Sequence, residues 1–355
     1  MSESEELRVH GGVSAAELAK LGFAHTDVLD LSVNVNPWGP HPAVGQAVQQ
    51  AALGHYPDPH ATAAREALAR TLGVESARIV VGHGSTELLW AAVSLMQGSS
   101  RPWLVVGPTF SEPLIAARAL GVAHVEYRSH AHDDFALDLA ALSRALEACD
   151  AAGVYLCQPN NPTGGALPAT ALRELCEQHP SRLFVLDQAF LALSTRHADA
   201  AVTFPDNVLC VRSLTKEHAL PGLRVGYAIG APALLARLNA RRPSWMVSSL
   251  AQAAVVAACA QTAYVADVRE RLLRGASALA QGCRALGLAV VPSDSHYFIV
   301  RVAQADALRQ RLLRRHGVVV RSCSSFGLPN YVRMAGCAET ECTRALTALA
   351  AECEP

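Results

Sequence analysis

Ser213-Leu214-Thr215-Lys216, followed by Pro221-Gly222-Leu223-Arg224-Val225-Gly226-Tyr227, sets one lysine between a hydroxyl and an arginine, just after the apolar run 208–211. A lysine crowded by cations or stripped of water gives up its proton more readily, so its amine becomes nucleophilic near neutral pH. That suits a site holding an aldehyde that carries a phosphate. Most lysines are merely solvated, but two upstream features argue against that here. Asp187 ends the apolar run 183–186, and Asn160-Asn161-Pro162-Thr163-Gly164 follows the run 154–157. Polar groups are thus gathered at the ends of candidate strands.

Outward from this stretch, between about 61 and 230, amphipathic segments alternate with short β-rich runs at 79–81, 103–106, 122–127, 154–157, 183–186, 208–211 and 225–229. Such alternation predicts a mostly parallel sheet with helices on both faces. Sheets of that kind bind ligands at the carboxyl ends of their strands. Asn161, Asp187 and Ser213 each follow a predicted strand, so one edge would collect them. After Pro243 an alanine-rich, helix-favouring stretch runs to about Leu286. Strand candidates at 288–291, 297–302, 318–321 and 331–334 follow, giving a smaller α+β domain.

At 355 residues, 51% hydrophobic and 17% charged, the chain is globular and long enough for two domains. A net charge of −1 gives no long-range pull toward nucleic acid or an anionic membrane, so a small-molecule partner bound at a local site is expected. The ten cysteines are scattered through apolar or helical segments with no CxxC pair, and a reduced, cytoplasmic protein is expected. The acidic start lacks an apolar signal core, and the longest apolar stretches, such as 88–96, are too short to cross a bilayer. His130-Ala131-His132-Asp133-Asp134 is read as a polar connection, and no metal is assigned.

Asn161-Pro162-Thr163-Gly164, Asp187, Ser213-Leu214-Thr215-Lys216 and Arg224, in this order and spacing, resemble the fold-type I pyridoxal-phosphate (PLP) enzymes of the class I/II aminotransferase superfamily. The likeness extends from Leu31-Ser32-Val33-Asn34-Val35-Asn36-Pro37 to Tyr331-Val332-Arg333. Within the superfamily it leans toward the branch of threonine-phosphate decarboxylase and histidinol-phosphate aminotransferase. The resemblance implies a seven-stranded, mostly parallel sheet sandwiched by helices in a large PLP-binding domain, 46–240, and an arm, 1–45, joining a small α+β domain at 241–355. It also implies a homodimer with a shared active site.

By the same resemblance, Lys216 holds the cofactor aldehyde as an imine and later shuttles the proton at the substrate Cα, while Asp187 keeps the pyridine nitrogen protonated. Gly84, Ser85 and Thr86, at a glycine-rich turn opening a helix, would take the phosphate with Ser213 and Arg224, and Tyr56 would reach in from the partner subunit. Phe110 would stack on the ring and Asn161 would bond its 3-hydroxyl. Arg333 aligns with the arginine that forks onto a substrate carboxylate. Arg321, Asn36 and His10 are candidates for a distal substrate phosphate.

Two departures stand out: Phe190, where many relatives have tyrosine, and Gln188, where this branch usually has glutamate. The opening His10-Gly11-Gly12 and the pair Arg321 and Arg333 tilt the expectation toward a threonine-phosphate decarboxylase. A histidinol-phosphate or other amino-acid aminotransferase is the alternative. A non-catalytic, cofactor-binding regulatory subunit is the reading of a different class, weakened by retention of Lys216, Asp187 and Arg224.

Overall fold

The structure, a computed structural model, describes residues 11–353. Its strands, in chain order, are β1 (Leu29–Asp30), β2 (Ile79–Gly82), β3 (Trp103–Gly107), β4 (His124–Arg128), β5 (Gly153–Cys157) and β6 (Leu183–Asp187). They continue as β7 (Val208–Ser213), β8 (Gly226–Ile229), β9 (Tyr297–Arg301), β10 (Val318–Val319), β11 (Arg321–Ser322) and β12 (Tyr331–Ala335). Seven of them form one sheet in the order β2-β8-β7-β6-β5-β3-β4. Only β8 runs against its neighbours, β2 and β7. The expected mostly parallel sheet is therefore present.

Both faces of this sheet are covered, which is why its strands read as continuous apolar runs rather than alternating ones. Successive side chains still point to opposite faces. Val105, Tyr155, Val185 and Leu209 pack with Leu88 and Leu89 on one side. Leu104, Leu156, Leu186 and Cys210 pack with Leu142 and Leu172 on the other. Trp103, Tyr155 and Phe184 are among the largest side chains buried completely.

A second core surrounds the antiparallel sheet β11-β12-β9. Here Phe298, Val300, Val332 and Met334 meet Leu279 and Cys283 from the helix Thr262–Ala285, together with Leu29 and Leu31. The early segment reaches this core because β1 pairs in parallel with β10.

Three expectations are corrected. The run 288–291 forms no strand; Val290 makes one isolated bridge to Val300, and Pro292, which has no N–H to donate, stops the ladder. The run 318–321 is cut at Val320, because β10 pairs with β1 while Arg321 turns to face Arg333 on β12. The long helical stretch is two helices, Ser249–Cys259 and Thr262–Ala285, bent by 82°. Their apolar stripes serve different partners: the first packs on the helices Pro42–Gln49 and Thr62–Leu72, the second on Glu339–Glu352. Among the described residues no single helix is long and apolar enough to cross a membrane.

The helix Thr262–Ala285 crosses the segment after β12 so closely that a Cβ on Gly275 would lie 2.1 Å from the Cys337 carbonyl oxygen. Gly275→Ala should therefore destabilise the protein by about 1–3 kcal/mol. Gly45, in the helix Pro42–Gln49 with nothing within 4 Å of its would-be Cβ, is the control. Gly45→Ala should gain roughly 0.5–1 kcal/mol. Urea unfolding of the two variants checks the pair, and equal midpoints would contradict it.

Candidate active site

Because β2, β3, β4, β5, β6 and β7 point the same way and β8 returns, one edge of the sheet carries six strand ends and the start of β8. A cavity of about 440 Å³ opens there. Gly84, Ser85, Thr86, Phe110, Asn161, Asp187, Lys216 and Arg224 line it from the large sheet, and Arg321 and Arg333 from the small one. The structure thus brings ten of the fourteen sequence-predicted site residues into one hollow.

Asp187 ends β6 and is 3% exposed. Tyr155, buried on β5, donates its hydroxyl to Asp187 Oδ2 at 2.9 Å, and the Ala189 N–H donates to Oδ1 at 3.0 Å. Burial raises the proton affinity of this carboxyl, while these two donors and the Lys216 charge lower it. A cationic heterocycle against Asp187 would be stabilised by a low-dielectric carboxylate already held in place. Lys216, three residues past β7, donates from Nζ to Thr215 Oγ1 at 3.2 Å and lies 5.9 Å from the Phe190 ring centroid. Burial and then Arg224 pull its amine below the usual lysine range, against Asp187 and Glu217. A buried amine made nucleophilic beside a buried acid is what imine chemistry needs.

At the other side of the hollow the helix Gly84–Ser94 presents its N-terminus. Gly84 has φ +77°, and a Cβ there would stand 3.0 Å from Arg224 Nη2, so glycine admits both the turn and the guanidinium above it. Free N–H groups, two hydroxyls and a cation make this a fit for a phosphate. Together with Asp187 and Lys216, these residues match the charges of a phosphorylated pyridine aldehyde.

The two arginines face each other in register across β11 and β12. Arg333 is 5% exposed; its Nη1 donates to Asn161 Oδ1 and its Nη2 to the Ser32 carbonyl at 2.6 Å, while Nε has no partner. Arg321, also 5% exposed, donates to Ser325 Oγ at 2.6 Å. Burial, and then the charge of Arg333, lowers Arg321 to about 10.

Four predicted residues lie elsewhere. Ser213 is behind the cavity wall, where its hydroxyl pairs with Thr215 Oγ1 at 2.6 Å, and Thr215 takes its place in the lining. Asn36 is structural: its amide donates to the carbonyls of Gly39 and Glu217 and to Tyr264 Oη. Asn34, two residues earlier, lines the cavity instead, buried with neither amide atom partnered. Tyr56 stands outside this chain's own cavity, 83% exposed and tilted against Trp245 with ring centroids 5.1 Å apart. His10 lies outside the described residues.

Asn34 and Asn36 sit in irregular backbone, so no period of two or 3.6 could choose between them; a buried amide left without partners is the signal that does. His130 and His132 stack at 5.4 Å and His132 pairs with Asp133 at 2.9 Å; among the described residues no three metal-ligand side chains gather. A second hollow of about 500 Å³, between β3, β5 and residues 292–294, touches the first only through Cys157.

Tyr155→Phe removes one of two donors from a buried carboxylate without opening a cavity. It should cost about 1.5–3 kcal/mol at neutral pH and loosen PLP retention in parallel. Denaturant unfolding and a PLP dialysis series measure both, and an unchanged pair of values would show that the hydroxyl does not hold Asp187.

The family model for aminotransferase class I and II matches residues 26–349. Curated relatives 31–36% identical over 87–91% of this chain are histidinol-phosphate aminotransferases. That of Bradyrhizobium diazoefficiens is 33% identical over 328 residues, 91% of this chain and 92% of its own. Among solved structures, histidinol-phosphate aminotransferase from Sinorhizobium meliloti in complex with pyridoxal-5'-phosphate is similar with a TM-score of 0.85 at 26% identity, covering 96% of this chain and 94% of that one. L-threonine-O-3-phosphate decarboxylase from Porphyromonas gingivalis gives 0.78 at 26%, covering 91% and 98%. With its fold, its strand-edge lysine and acid, and this match over most of its length, the chain belongs to the PLP-dependent class I and II aminotransferases.

Proposed function

We propose that this enzyme transfers the amino group of a phosphorylated amine, histidinol phosphate, to a 2-oxo acid, in a dimer whose Tyr56 serves the partner's cavity. The observation that carries the reading is the in-register pair Arg321 and Arg333, two buried guanidinium groups lining the same cavity as Lys216. Side by side, they repel each other and favour a dianion such as a phosphate monoester. Kinship then selects the amine: the relatives matched over nine-tenths of the chain carry the transferase name, whereas the decarboxylase is a structural neighbour. This reverses the order expected from the His10-Gly11-Gly12 opening.

PLP, when bound, supplies the electron sink that lets a bond at the substrate Cα break. The protein's own groups do the rest. Asp187, locked by Tyr155 and the Ala189 N–H, offers a fixed negative charge. Lys216, with its amine depressed by burial and Arg224, can accept the proton released at the substrate Cα and give it back. Arg321 and Arg333 fix the distal anion and so set which Cα bond faces the lysine. Asn34 adds two unpartnered amide atoms to the same hollow.

Holoenzyme given histidinol phosphate and 2-oxoglutarate should form glutamate, and threonine phosphate should release no carbon dioxide. Carbon dioxide without consumption of the oxo acid would replace the transferase reading with the lyase. Arg333→Lys keeps a charge but loses the fork, and should reduce kcat/KM for the phosphorylated amine by about 2–5 kcal/mol. Wild-type kinetics in that variant would remove Arg333 from the anion site.

A further inference from the structure

Glu87 stands in the first turn of the helix Gly84–Ser94, one residue past Thr86, and does not line the cavity. Its side chain folds back on the chain: Oε2 accepts the His83 N–H, just before Gly84, at 3.0 Å. His83 caps the helix with no side-chain bond of its own, so this carboxylate is what fastens the turn. Gly82 makes the room, since a Cβ there would stand 2.7 Å from Glu87 Oε2. A carboxylate in a first turn also suits the positive end of the helix dipole.

That carboxylate brings a conflict. The same helix end is the one that fits a phosphate, and a second anion there competes for the dipole and repels the first. Left bare, it would offset the charge of Arg224. Arg242, also outside the cavity lining, resolves this. Its Nε donates to Glu87 Oε1 at 2.6 Å and its Nη2 to Oε2 at 2.9 Å, a two-pronged pair whose side chains are 9% and 15% exposed. The same Nη2 donates to the Val81 carbonyl on β2 at 2.9 Å, and Nη1 to Asn239 Oδ1 at 2.8 Å. Every nitrogen of the guanidinium is held, so the counter-charge to Glu87 is fixed in place.

We infer that Glu87 and Arg242 are a positioning pair for the cofactor phosphate. Glu87 fastens the turn from which Gly84, Ser85 and Thr86 line the hollow, and Arg242 cancels the charge that would otherwise push the phosphate away. The inference rests on that turn, with Arg224, receiving the phosphate. It assigns opposite consequences to the two halves of one ion pair. Without Arg242, a bare carboxylate is left beside the phosphate; without the Glu87 charge, Arg242 adds a second cation there. A pair that only held the fold would suffer alike from either loss.

Full-length enzyme freed of cofactor is titrated with PLP and with pyridoxal, which has the ring and aldehyde but no phosphate, and the ratio of the two dissociation constants is read. Arg242→Gln should lower the preference for PLP by about 10–30-fold, with pyridoxal binding close to wild type. Glu87→Gln keeps an acceptor for the His83 N–H, and should hold the preference at the wild-type value or above it while weakening the fold by stranding Arg242. The double variant should recover most of what Arg242→Gln loses. Equal losses in the two single variants, no recovery in the double, or a parallel loss of pyridoxal binding would overturn the inference. If Arg242→Gln does not fold, Glu87→Gln decides alone: a PLP preference below wild type sinks the inference, and one at or above it upholds it. Arg224→Gln tests the phosphate placement separately. An unchanged preference there takes down that placement and the inference with it; a lost preference there, with an unchanged one in Arg242→Gln, overturns the inference alone.

Discussion

The site depends on one buried charge being affordable: the Asp187 carboxylate at the end of β6, 3% exposed at the wall of the hollow. Two donors held by neighbouring backbone and by Tyr155 make it stable enough to keep, and the Lys216 amine nearby is its electrostatic counterpart. Each partner is supplied by a different strand of the parallel sheet, β5, β6 and the segment after β7. The apolar packing of Leu104, Leu156 and Leu186 on one face and Val105, Tyr155 and Val185 on the other sets those strands in register. Tyr155 takes part in both jobs, filling the core with its ring and the acid's coordination with its hydroxyl.

Much of this was legible in the sequence because parallel-sheet physics puts strand ends together. Asp187, Asn161 and Lys216 each follow an apolar run, and that alone predicts a shared edge. Ser213 was placed by the same logic, yet its hydroxyl pairs with Thr215 behind the wall, and Thr215 lines the hollow instead. The boundaries that failed did so where tertiary pairing outvoted local pattern: Val320 is apolar like its neighbours, but β1 claims one side of it and β12 the other. The break at Ala260 was hidden because both helices are alanine-rich, and only their separate partners show the bend.

The substrate end was less readable. Arg321 and Arg333 are twelve residues apart in the chain on either side of an irregular loop, and only the antiparallel register makes them neighbours. Asn34 and Asn36 were chemically interchangeable in the sequence; the fold uses one as scaffold and leaves the other facing the hollow. The choice between losing a proton and losing a carboxylate depends on an angle at the substrate, which no residue type encodes.

Arg333 also acts as a tie. It stands on the small sheet, yet its Nη1 is held by Asn161 from the loop after β5 and its Nη2 by the Ser32 carbonyl from the early segment, leaving Nε as its one nitrogen without a partner. Three separate parts of the chain are therefore stitched at a single guanidinium. Nε and a second N–H on each Nη nitrogen lie beyond those two bonds, so the same guanidinium that closes the seam keeps donors to spare for an anion arriving in the hollow.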